Sequence, residues 1–293
     1  MSFDFTGAGV ALITPFKKNS DIDFDALGRL VEYQISGGID YLVALGTTAE
    51  TATLSDEEKN EIVAFIKDRT AGRIPLIVGM GGNDTRAIIK KMESFDSSGV
   101  SGFLIVTPYY NKPNQEGLYR HYMELAAHTP LPIVLYNVPT RTGINMEAET
   151  VIRLAEASDK FVAVKEASGT HSQITRIAKY TPPHFKVISG DDVLAITIIS
   201  IGGEGIISVI ANALPAKLSK LIHHSLKGDF AEARLIHYEL IELFRLQFQD
   251  GNPAGVKTML SHYGFIENAL RLPLIPANEV TQKMIIEELQ KLS

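Results

Sequence analysis

Cysteine is absent from this 293-residue chain. That absence excludes disulfides, thiolate metal sites and a cysteine nucleophile, and it fits a reducing compartment. An excess of basic charge is missing as well. The formal net charge is −6 and the isoelectric point lies near 5.8. No basic cluster is interleaved with aromatics, so nucleic acid is not an expected partner. Long apolar runs are also lacking: residues 193–201 form the longest, broken by Thr197 and Ser200. A bilayer crossing needs roughly 20 such residues, so no membrane association is expected. In "MSFDFTGAGVALITPFKK" the positive charges follow the apolar stretch, the wrong order for a secretory signal. The expected location is the cytoplasm. The eight histidines show no H-x-x-x-H or related ligand spacing, so no metal is expected. "GMGGND" (79–84) fails the dinucleotide-binding pattern, because Asp84 stands where the third glycine is required.

What the chain does contain is apolar substance and a repeating plan. Hydrophobic residues make up 45% and charged residues 21%, the composition of a globular protein with a sizeable core. Eight short apolar runs read as strands: 9–16, 41–46, 75–81, 102–109, 132–139, 161–168, 185–192 and 205–210. Segments with helical spacing lie between them, including 23–36 and 55–70. The second of these opens on a Ser55-x-x-Glu58 capping box. Strand–helix alternation of this number predicts an α/β fold, a closed parallel (β/α)8 TIM barrel spanning residues 1–214. Residues 215–293 continue in helical pattern with no low-complexity linker before them. They are expected to form a C-terminal helical extension packed on the barrel.

In such a barrel, chemistry belongs at the C-terminal ends of the strands. The residues ending the runs there are "GTTAE", "TPYYNKP", "YNVPTRTG", the lysine of "FVAVKEASG", "SGDD" and, in the eighth, "EGIIS". The lysine is the unusual one. Alternation places Lys165 on the same face as Phe161 and Ala163, towards the barrel interior. A lysine at a strand end often carries its charge out to solvent on its flexible stem. One held in apolar surroundings can serve as a nucleophile instead. An ordinary lysine has a pKa of about 10.4, so only about one in a few thousand is neutral at pH 7. Low-dielectric surroundings disfavour the ammonium, and the neutral amine then condenses with a ketone to an iminium. Tyr136, ending the fifth run, offers a phenol for proton transfer, or simply a core ring with one polar tip. Thr47 and Thr48 offer hydroxyls and loop N–H groups suited to a carboxylate. Arg141 could grip a second carboxylate through a bidentate pair. Asp191, Asp192 and Glu204 occupy the place of the usual barrel phosphate site, so a non-phosphorylated substrate is expected. Asp191 or Asp192 is otherwise read as a helix N-cap.

The motifs "GTTAET", "TPYYNKPNQEG", "YNVPTRTG", "VKEASG" and "SGDD", in this order, closely resemble the pyruvate-dependent class I aldolase superfamily. Within it, the resemblance is to the dihydrodipicolinate synthase family, over nearly the whole chain. It implies that Lys165 forms a Schiff base with pyruvate and needs no other cofactor. The derived enamine then attacks L-aspartate semialdehyde, giving 4-hydroxy-tetrahydrodipicolinate on the diaminopimelate route to lysine. It also implies a proton relay of Tyr136, Thr47 and Tyr110. Tyr110 would reach in from a neighbouring subunit of a homotetramer built from tight dimers. Thr48 and Ile207 would hold pyruvate through backbone contacts, and Arg141 would bind the semialdehyde carboxylate. Ala49 departs from the family's usual glycine and is tolerable at negative φ. Around the family's lysine-inhibitor site, Thr51, Ala52, Asn83 and Tyr109 fit the pattern of sensitive members. Asp56 and Lys59 replace its histidines there, and Ala87 its glutamate. Weak or absent feedback inhibition is therefore expected. N-acetylneuraminate lyase and 2-keto-3-deoxy sugar acid aldolases share the lysine and tyrosine, but "GTT" and the arginine of "PTRTG" favour the synthase. A non-catalytic binding barrel would not need to keep Lys165, Tyr136 and Thr47 together.

Overall fold

The computed structural model describes residues 5–292. Eight parallel strands close into a barrel in chain order: β1 (Gly7–Ala11), β2 (Tyr41–Ala44), β3 (Leu76–Gly79), β4 (Gly102–Val106), β5 (Ile133–Asn137), β6 (Phe161–Glu166), β7 (Lys186–Ser189) and β8 (Gly205–Ser208). Pairing of β1 with β8, from Gly7↔Gly205 to Val10↔Ser208, completes the ring. The expected (β/α)8 barrel is the fold. Its strands are shorter than the apolar runs that announce them. After Ala11, for example, Leu12 keeps a bond to the Val43 carbonyl, but Phe16 turns back to bridge Ile22.

Helices α1 (Phe24–Ser36), α2 (Asp56–Thr70), α3 (Thr85–Ser94) and α4 (Gln115–His128) follow the first four strands. After β5 come a single turn, α5 (Pro139–Thr142), and then α6 (Ala148–Ala157). The last barrel helices are α7 (His171–Tyr180), α8 (Ala195–Ser200) and α9 (Pro215–Leu226). Local chemistry sets their starts. The capping box opens α2: the Ser55 hydroxyl accepts from the Glu58 N–H at 3.2 Å, and Glu58 accepts from the Ser55 N–H at 2.9 Å. Asp84, the residue that spoils the nucleotide motif, caps α3 by accepting from the N–H groups of Arg86 and Ala87.

The core has two compartments. The larger lies between the strands and the helical ring. The smaller fills the barrel, where Tyr41, Ile77, Leu104, Val134 and Ile188 stack above Phe5. Tyr41 spans the interior and donates its hydroxyl to the Ile206 carbonyl at 3.0 Å.

Two expectations need correction. Phe161 does not share a face with Lys165. The β5–β6 register shifts between Ile133 and Val134, so the alternation breaks after Phe161. Phe161 packs in the outer core, edge-on to Tyr122 of α4, while Ala163 belongs to the interior cluster. Glu204 does not lie on the C-terminal rim. It precedes β8, at the opposite end, where it pairs with Lys186 at the start of β7. Helix α9 packs on β1, β8 and α1. After it come α10 (Phe230–Gln249), α11 (Ala254–His262) and α12 (Glu279–Gln290), which pack on one another, with α10 also against α9. Helices α10 and α11 also contact the 3-10 turn Ile210–Asn212 that follows β8.

Candidate active site

Lys165 sits near the end of β6, and hydrogen-bonded pairing places it beside Tyr136 on one side and Ile188 on the other. Its side chain is 5% exposed, although neighbouring carboxylates do not compensate for that burial. Glu166, next in sequence, points to the outside of the barrel, and no described carboxylate lies within ion-pairing distance of the Lys165 ammonium position. Nζ lies 4.5 Å from the centre of the Tyr136 ring, which is itself buried. Space for the lysine stem depends on Gly190, at the end of β7. A Cβ there would stand 2.8 Å from the Ala167 Cβ and 3.1 Å from the Lys165 Cγ. In "SGDD" the charge pattern draws attention to the aspartates, whereas the packing depends on the glycine.

The other candidates stand on loops at the same end of the barrel. Thr47 and Thr48 lie in the 3-10 turn Thr47–Ala49 after β2, with Thr47 exposed and Thr48 buried. The turn is entered through Leu45 at φ 55° and left through Glu50 at φ 54°. Ala49 is not among the positive-φ residues, so its methyl group fits where the family usually has glycine. The Leu45 carbonyl closes over Gly79 of β3, where a Cβ would approach it to 2.0 Å. Arg141, in α5, is exposed and forms no ion pair among the described residues. Ile207 is fully buried within the barrel, next to Gly9 in the β1–β8 ladder. Tyr110 follows β4 and is 85% exposed at φ 74°. A large aromatic in the left-handed region, with its ring in solvent, costs on the order of 1–3 kcal/mol and accompanies function or an interface. The single chain brings Lys165 and Tyr136 together. It does not bury Tyr110 in the same barrel.

Two buried carboxylates, Glu166 and Asp192, hold this end together. Glu166 accepts from Asn137 Nδ2 at 3.1 Å, from the Ser168 N–H at 2.8 Å and from Gln173 Nε2 at 3.3 Å. Burial pushes its pKa up, against the opposing pull of those donors. Since Asn137↔Glu166 is the next rung after Tyr136↔Lys165, this network fixes the register of the candidate pair from behind. Asp192 is not a helix N-cap. It accepts from the Ser208 hydroxyl, from the N–H groups of Val209 (3.1 Å) and Ile210 (3.2 Å), and from Gln247 Nε2 (2.9 Å). Burial raises its pKa as well. The N–H groups after β8 that could receive a phosphate are thus already taken by the protein's own carboxylate. Asp191 accepts locally, from the Val193 N–H at 3.0 Å.

The fold is a (β/α)8 barrel, and the relatives that the chain matches make it an enzyme of the lyase class. The chain belongs to the Dihydrodipicolinate synthetase family, whose profile it matches over residues 4–292. It is 53% identical over 287 residues to a 4-hydroxy-tetrahydrodipicolinate synthase of Parabacteroides distasonis, covering 98% of this chain and 97% of that one. Among solved structures it is similar to dihydrodipicolinate synthase from Aquifex aeolicus, with TM-score 0.95, 40% identity and 98% coverage of both chains. It is also similar to the chloride-inhibited dihydrodipicolinate synthase of Acinetobacter baumannii complexed with pyruvate, with TM-score 0.95, 36% identity and 98% coverage of both. Among the described residues, no helix is long and apolar enough to cross a membrane.

Proposed function

We propose that this enzyme condenses pyruvate with L-aspartate semialdehyde in the cytoplasm, as a 4-hydroxy-tetrahydrodipicolinate synthase on the diaminopimelate route to lysine. The observation that carries the reading is Lys165: a buried amine, without a carboxylate partner among the described residues, beside the Tyr136 ring at the barrel mouth. The neutral Nζ attacks the pyruvate carbonyl carbon and water leaves, forming an iminium. Loss of a methyl proton gives the enamine, whose carbon attacks the aldehyde. The substrate's own amine then displaces Lys165 and closes the ring, with one water released per turnover. No other cofactor is needed. Tyr136, Thr47 and Tyr110 of the partner subunit carry the protons. Thr48 and Ile207 hold pyruvate through backbone contacts. Arg141, exposed and in no ion pair among the described residues, receives the carboxylate of the semialdehyde. The working assembly is a homotetramer of tight dimers. A direct assay tests the reading: product should form from pyruvate plus the semialdehyde, with no cleavage of N-acetylneuraminate. The reverse result would assign the chain to a different aldolase activity.

Feedback control by lysine is weak or absent on this reading. A cavity of about 170 Å³ beside β3, separate from Lys165, is lined in part by Thr51, Asp56, Lys59 and Lys91. Asp56 is already shared by Lys59 at 3.1 Å and Lys91 at 3.3 Å. Two ammonium groups against one carboxylate make a poor host for another cationic side chain. Half-maximal inhibition by submillimolar L-lysine would contradict this.

A further inference from the structure

The Thr47–Thr48 turn is tied down from its far side by the C-terminal extension. Glu50 leaves the turn in the left-handed region, at φ 54° and ψ 36°. One of its carboxylate oxygens lies 2.5 Å from Lys257 Nζ on α11, with both side chains fully shielded from solvent. The other accepts the Arg271 N–H at 3.0 Å. Lys257 also donates to the Ala269 carbonyl at 2.9 Å, and its ammonium stands 4.4 Å from the centre of the Phe16 ring. The Arg271 guanidinium lies 4.4 Å from the same ring and forks onto Glu58 in the first turn of α2, at 2.8 and 2.5 Å. Closer to the rim, Asn252 Nδ2 donates to the Thr48 hydroxyl at 3.0 Å, and both residues are buried.

A buried ion pair is a weak source of stability, because desolvation of the two charges offsets their attraction. Its contribution is directional: a carboxylate with fixed donors admits one loop conformation. Glu50 is separated from Thr48 by a single residue, so holding one holds the other. We propose that Glu50, Lys257 and Asn252 are positioning residues that set the Thr47–Thr48 turn in the geometry receiving the pyruvate carboxylate. The C-terminal extension thereby governs affinity for the keto acid. None of the three touches the reacting atoms. The inference rests on the reading of Lys165 and the threonine turn as the pyruvate site.

The test is a Glu50→Gln/Lys257→Met double variant, which removes both charges and leaves neither buried alone. The expected protein stays folded, its pyruvate KM rises about tenfold or more, and its semialdehyde KM stays within about twofold of wild type. Turnover at saturating pyruvate falls less than KM rises. Asn252→Leu leaves the ion pair in place and carries the same expectation should the double variant not fold. A pyruvate KM within about twofold of wild type, in whichever variant is folded, overturns the proposal. Failure of the underlying reading looks different. In that case wild-type protein itself gains no borohydride-trapped pyruvate on Lys165. Failure of this proposal alone leaves trapping intact, with the same pyruvate dependence in wild type and variants.

Discussion

The Tyr136 hydroxyl has no hydrogen-bond partner among the described residues, although the residue is only 6% exposed. Its ring packs in the barrel interior, with its centre 4.5 Å from Lys165 Nζ. Chemistry and packing can therefore be separated at this one side chain. Tyr136→Phe keeps the ring and leaves no donor stranded, so unfolding stability should stay within about 0.5 kcal/mol of wild type. If the phenol moves protons, kcat should fall by roughly 10²- to 10⁴-fold. Steady-state kinetics and a urea melt on the same preparation check both halves, and a variant with unchanged kcat would remove Tyr136 from the relay. At this scale the pair that the fold brings together was legible in the chain. Lys165 and Tyr136 stand out because each follows a stretch of four apolar residues, 161–164 and 132–135. Gly190 and Asn252 do not stand out. Their importance is a matter of a 2.8 Å approach and a 3.0 Å bond to residues far away in sequence.

Parallel barrel strands are buried on both faces, so they appear as continuous apolar runs, and all eight were visible for that reason. The extra residue in β6 was not visible, since nothing in "FVAVK" marks the shift that turns Phe161 outward. Nor was the direction of the carboxylates behind the strands, which depends on which helix covers them. The element scale also offers a test by pH. His121 on α4 is buried against Thr85 of α3, at 2.8 Å from the threonine hydroxyl, and burial lowers its pKa from 6.5 to about 4. The folded protein therefore binds fewer protons here than the unfolded chain between those values. The contribution of this residue is complete above pH 6.5 and is lost as pH falls towards 4. Glu166 and Asp192, with raised pKa values, act in the opposite sense, so the comparison must be differential. Relative to His121→Asn, wild type should lose about 2–3 kcal/mol of unfolding stability between pH 7 and pH 4.5. Parallel pH dependences in the two proteins would contradict the assignment.

On the scale of the whole molecule, the barrel is incomplete as a catalyst if Tyr110 must be supplied by another copy. The exposed ring and left-handed backbone of Tyr110 are consistent with that need, and no pattern in one chain could have revealed it. A mixing experiment tests it. Lys165→Ala and Tyr110→Phe chains are each expected to be nearly inactive alone. In a hybrid dimer, the subunit that keeps Lys165 receives an intact tyrosine from its partner. Random pairing makes about half the dimers hybrid with one good site each, so co-expression should restore about a quarter of wild-type activity. Activity no greater than that of the two parents would place Tyr110 in its own barrel or outside the mechanism.

The central claim is that the Lys165 amine carries the substrate as an imine, and borohydride trapping tests it most directly. Wild-type protein reduced in the presence of pyruvate should gain the mass of pyruvate less water plus two hydrogens. Peptide mapping should place that gain on Lys165 alone, and Lys165→Ala should gain nothing. An adduct at another lysine, or none in an enzyme that still turns over, would contradict the account.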